Sequence, residues 1–101
     1  MEIDRVLETP RAIGLDLFNI GSTYQAREDF PQALEHYERA LPPLRLTSDL
    51  PHIAETLFRT GLISEKMGLP EKAKQYFQAA VKAASRAGMP ELEEKARLKF
   101  D

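Results

Sequence analysis

Leu17-Phe18-Asn19-Ile20-Gly21-Ser22-Thr23-Tyr24 returns forty residues later as Leu57-Phe58-Arg59-Thr60-Gly61-Leu62-Ile63-Ser64, with the leucine, phenylalanine and glycine unchanged. The same offset pairs Ile13 with Ile53, Ala33 with Ala73 and Ala40 with Ala80, and it sets Tyr37 against Phe77 and Leu41 against Val81. Tyr24 against Ser64 is the poorest match. Self-similarity at such a period marks a stack of helix pairs, each of which buries its apolar face only against its neighbours. The expected fold is therefore all-α, and arrays of this kind make binding surfaces more often than active sites.

Outward from these blocks, prolines and glycines divide the chain into five main helices. Thr9-Pro10 reads as an N-cap followed by proline at the first helical position, where the missing N–H costs nothing. Ile13, Leu17, Ile20 and Tyr24 recur at helical spacing as one stripe of a helix running to about Arg27. Glu28-Asp29 breaks it, and Asp29 is placed to cap the second helix, whose stripe is Phe30, Ala33, Leu34, Tyr37, Ala40 and Leu41. Pro42-Pro43 is expected to end or sharply bend that helix, because each proline lacks a donor and its ring clashes with the preceding turn. Ser48 or Asp49 caps the third helix, which carries Ile53, Leu57, Thr60 and Ser64 and stops at Gly68. Pro70 opens the fourth, with Ala73, Phe77, Ala80, Val81 and Ala84, and Gly88 ends it. Pro90 starts a shorter, highly charged helix through Phe100, in which only Leu92, Ala96 and Phe100 are apolar. That pattern suits the end of a stack, where one face meets water. Ahead of Thr9, Ile3, Val6 and Leu7 are spaced to form a turn or two of helix against the first pair.

The chain has 101 residues, enough for one domain with a modest core. Its charged residues reach 30% but nearly balance at a net −2, which argues against nucleic acid as a partner. The absence of cysteine excludes disulfides and thiolate metal sites. Met1-Glu2-Ile3-Asp4-Arg5 does not read as a signal peptide, and no apolar run is long enough to span a membrane. The expectation is a soluble cytoplasmic protein.

Leu17-x2-Ile20-Gly21-x2-Tyr24 followed by Ala33-x3-Tyr37 and Ala40 resembles the tetratricopeptide repeat (TPR) pattern. Leu57-x2-Thr60-Gly61-x2-Ser64 followed by Ala73-x3-Phe77 and Ala80 is a weaker second copy. The resemblance implies a TPR-like α-solenoid of about two and a half repeats spanning 1–101. Repeat one would cover about 9–48, repeat two about 49–88, and a capping helix about 90–100. In this reading Gly21 faces Ala33 and Gly61 faces Ala73 across each hairpin, and Tyr37 and Phe77 fill the wedge between pairs. The period departs from the usual ~34 residues and is similar to the extended variety seen in spindle-orientation adaptors, rapsyn and many bacterial signalling proteins. Arg45 and Ser85 stand near the place of the usual closing proline. Thr60 and Ser64 replace apolar consensus residues, so the second hairpin is expected to pack less tightly. A HEAT-type array has a similar period but does not demand the glycine, alanine and aromatic at these offsets.

Leu15, Phe18, Ser22 and Gln25 lie on a second face of the first helix, and Glu55, Phe58, Leu62, Glu65 and Lys66 lie on the matching face of the third. The resemblance implies that this face lines a concave groove that binds peptides. Apolar residues repeated on it point to a partner site, with ordinary packing beneath another helix or a second chain as the alternative. Phe18, Ser22, Phe58 and Leu62 occupy places where carboxylate-clamping members carry lysine and asparagine, so a partly apolar peptide or helix is the expected ligand. His36 and His52 share no metal-ligand spacing. Lys72, Lys74, Lys82 and Arg86 read as a solvated convex face of the fourth helix. No phosphate loop, catalytic triad or cysteine nucleophile is present, and no cofactor is implied. The sequence thus reads as a non-enzymatic protein-interaction module. A self-assembling homodimer and a regulatory domain of a larger signalling protein are the alternatives.

Overall fold

Four turns of one geometry set the rhythm of the chain. Glu28, Ser48, Gly68 and Gly88 stand twenty residues apart, and each adopts a left-handed backbone, with φ of 61°, 53°, 73° and 69°. After each, the next N–H reaches back to a helix carbonyl: Asp29 to Tyr24, Asp49 to Leu44, Leu69 to Ser64 and Met89 to Ala84, at 2.9–3.0 Å. This six-to-one closure satisfies carbonyls that the helix end would otherwise leave unpaired. Proline then lies in the first turn of the following helix, at Pro31, Pro51, Pro70 and Pro90, where no donor is needed.

The helices so bounded are α1 (Glu2–Ala26), α2 (Phe30–Leu46), α3 (Leu50–Lys66), α4 (Pro70–Ala87) and α5 (Pro90–Arg97). This computed structural model describes residues 2–100, with side chains from Thr9 onward. The expected packing of Ile3, Val6 and Leu7 lies outside those side chains. α1 with α2 and α3 with α4 form antiparallel hairpins, and the second helix of each packs on the first helix of the next unit. No helix among the described residues is long and apolar enough to cross a membrane.

Two proline readings are corrected. Thr9-Pro10 does not start α1, which runs through it with Pro10 inside. Proline fixes φ near the helical value, so it removes one hydrogen bond without forbidding the geometry. Pro42-Pro43 likewise does not end α2, which continues to Leu46. Leu44 is wholly buried, and a Cβ on Gly14 would lie 2.9 Å from it, so the last turn is held by packing against α1. Of the two cap candidates for α3, Asp49 is the one used: its carboxylate accepts the His52 N–H at 3.3 Å. Asp29 stands at the corresponding place before α2 but makes no side-chain cap bond.

The atoms nearest to the two hairpin glycines belong to rings. A Cβ on Gly21 would fall 2.8 Å from the Tyr37 ring, and one on Gly61 would fall 2.6 Å from the Phe77 ring. The aromatics therefore lie within each hairpin, over the glycine, rather than only between hairpins. Nor is the second hairpin looser than the first. Thr56, Thr60 and Ser64 are wholly buried, with their hydroxyls donating to the carbonyls of His52, Thr56 and Thr60 at 2.6, 2.6 and 2.8 Å. Such back-bonding lets small polar side chains replace apolar ones without an unsatisfied donor, and no buried side-chain nitrogen or oxygen among the described residues lacks a partner.

The first stripe is where the two repeats part company. Ile13 and Ile20 are 48% and 42% exposed, whereas their counterparts Ile53 and Thr60 are 7% and 0%. α2 covers the outer face of α3, and no described element covers that face of α1.

Candidate functional site

The backbone of α1 approaches that of α3, and α3 that of α5, whereas α2 and α4 meet through the side chains of Glu38, Lys72 and Tyr76. The stack therefore curves with α1, α3 and α5 on its inner side, which is where the sequence placed its candidate binding face. The structure divides those nine residues into three groups.

Gln25 from α1 and Leu62, Glu65 and Lys66 from α3 line one groove of about 410 Å³, together with Phe30 and Ile63. Its floor is apolar and its rim carries both signs of charge, with Lys99 beyond α5 reaching Glu65 at 3.5 Å. Gln25 is held by the Tyr37 hydroxyl, which donates to its Oε1 at 2.6 Å. A groove with a greasy floor and a mixed polar rim holds an apolar side chain while orienting the peptide that carries it.

Phe18, Ser22 and Glu55 gather instead around Arg59. Its Nε donates to Glu55 Oε1 at 3.1 Å, its Nη1 donates to Ser22 Oγ at 3.1 Å and to the Tyr37 hydroxyl at 3.3 Å, and its guanidinium lies 5.1 Å from the Phe18 ring centre. Burial alone lowers the pKa of this guanidinium, but the bonds and charges from Tyr37 and Glu55 outweigh it and raise the value above its usual range. Sequence reasoning missed Arg59. Its one trace there is the i, i+4 spacing after Glu55, which suits a helix-surface ion pair. The contacts to Ser22, Phe18 and Tyr37 span helices that only the fold brings together.

Leu15 and Phe58 serve mostly as packing. Both are half-buried against the main core cluster, and the Phe58 ring sits 5.7 Å from that of Phe77. Phe18 is also braced, with ring centres 5.6 Å from both Tyr37 and His52. The inner face is thus a firm platform with a recess between Gln25 and Leu62, rather than a row of protruding phenylalanines.

The remaining polar residues have local roles. His36 stacks on Tyr24 at 5.3 Å, and His52 Nδ1 lies 3.0 Å from the Asp49 carboxylate. Lys72 is drawn out of the solvated set by an ion pair to Glu38 at 3.1 Å.

The tetratricopeptide repeat family model matches residues 15–86, which takes in the inner faces of both α1 and α3. No curated protein matches the chain.

Proposed function

The chain belongs to the tetratricopeptide repeat family, whose domains are generally non-catalytic protein–protein interaction modules, and we propose that it binds a partly apolar peptide or helix on the inner face of α1 and α3. The observation that carries this reading is the groove between Gln25 and Leu62, with Phe30 and Ile63 at its base and Glu65 and Lys66 on its rim. An apolar anchor seats on that base, and the rim charges set the direction of the chain that bears it. Arg59 supports the site from above by locking α1 to α3 through Ser22. The helices of 17, 17 and 18 residues from α2 to α4 support placement among extended members of the family, with repeats at about 9–48 and 49–88 in one domain.

The test is selection from a displayed library of random peptides against the folded protein. Enriched peptides are expected to share an apolar residue and to lose binding to Leu62→Ser combined with Lys66→Glu, two changes at half-buried and exposed positions. Peptides that bind this variant as well as the parent would remove the groove assignment.

One observation favours the homodimer as a second reading. Ile13 and Ile20 form an exposed apolar stripe on the outer face of α1, where the next repeat is covered by a helix. A second copy seated there closes the open end with two-fold symmetry. Light scattering across a wide concentration range separates this from the peptide reading.

A further inference from the structure

On the convex side, α2 and α4 flank a long groove whose floor is the back of α3, and its two halves are built differently. In one half, Glu38 of α2 bridges to α4 through the Tyr76 hydroxyl and Lys72 Nζ. In the other half no ion pair or side-chain hydrogen bond among the described residues crosses from α2 to α4. There Leu50, Ile53, Leu57, Ala79 and Ala83 form an apolar floor of a recess of about 330 Å³, and Arg45, Lys82 and Arg86 stand on its rim.

These three cations are exposed, and no ion pair among the described residues engages them. No carboxylate lines the recess. Of the acids on the neighbouring elements, Glu38 is committed to Tyr76 and Lys72, and Asp49 to His52 and the cap of α3, while Glu35 and Glu71 do not line the recess. Lys82 and Arg86 are one helical turn apart, a like-charge spacing that weakens a helix. Arg45 comes from a different helix to join them, so the local excess of positive charge is assembled by the fold in a chain of net −2.

We propose that this recess is a second docking site, for an acidic peptide segment carrying apolar side chains. Its apolar residues seat on Ala79, Ala83 and Leu57, and its carboxylates pair with Arg45, Lys82 and Arg86. The charge complementarity selects acidic ligands, and the apolar floor selects against ligands that bring charge alone. The site faces away from the inner groove, so the two proposals stand or fall separately.

The experiment is fluorescence anisotropy with a short labelled peptide of glutamates and aspartates bearing two leucines one helical turn apart. Its control has serine in place of both leucines. The leucine peptide is expected to bind the intact chain, more weakly as salt rises, and the serine peptide to bind at least about tenfold more weakly. Lys82→Glu with Arg86→Glu, and separately Arg45→Glu, are each expected to cost about tenfold or more with helical circular dichroism unchanged. Leu62→Ser with Lys66→Glu is expected to leave this binding intact. Equal binding of the serine peptide, full displacement by inorganic phosphate, no binding at all, or binding that survives the reversals would each overturn the proposal.

Discussion

Gly61 shows how one missing side chain determines a helix spacing. The Phe77 ring is almost wholly buried and occupies the place where a Cβ on Gly61 would sit, at 2.6 Å from the nearest ring atom. A buried ring cannot swing aside, so Gly61→Ala is expected to cost about 1–3 kcal/mol through overpacking. Urea unfolding of the single variant and of Gly61→Ala with Phe77→Leu checks this, with the double variant recovering part of the loss. At Tyr76 the phenol titrates above the ordinary tyrosine range, first because it is buried and then through the hydrogen bond and negative charge of Glu38, with Arg45 opposing. The folded chain thus holds this proton to higher pH than the unfolded one. Its contribution is fully present below about pH 10 and lost as the pH rises further. Unfolding midpoints measured from neutral to alkaline pH are expected to fall above that point, and less steeply for Tyr76→Phe. Identical slopes would remove Tyr76 from the account.

Among the elements, the turns are the clearest case of a pattern only half legible in sequence. Gly68 and Gly88 announce left-handed caps, but Glu28 and Ser48 adopt the same conformation without glycine, so the twenty-residue rhythm emerges only in the structure. Ser48→Gly is expected to stabilise the protein by up to about 1 kcal/mol by relieving backbone strain, and Gly68→Ala to destabilise it by about 1–2 kcal/mol. Thermal melts of the two variants should move in opposite directions. The five helices and the stripes of α2, α3 and α4 were readable because periodicity and the prolines of the first turns agree. The extents of α1 and α2 were not, because a proline inside a helix is tolerated only through packing, which a one-dimensional pattern does not contain. Likewise the face that would bind was legible as a face, but its division into a groove and a hub at Arg59 depends on contacts across α1, α2 and α3.

For the molecule as a whole, the stack has unequal ends. α5 closes one with a charged outer surface over Leu92 and Ala96, while Ile13 and Ile20 leave the other apolar and exposed. Ile13→Lys with Ile20→Lys is therefore expected to change monomer stability by less than about 0.5 kcal/mol, whereas Ile53→Lys, at the buried counterpart, is expected to unfold the chain. The central claim concerns the inner face between these ends. Backbone amide shifts, recorded by NMR while a library-selected peptide is titrated in, test it most directly. The account predicts that the perturbed amides cluster at Ser22 to Gln25 on α1 and Leu62 to Lys66 on α3. Perturbations confined to the outer face of α1 around Ile13 and Ile20, or to α2 and α4, would contradict it.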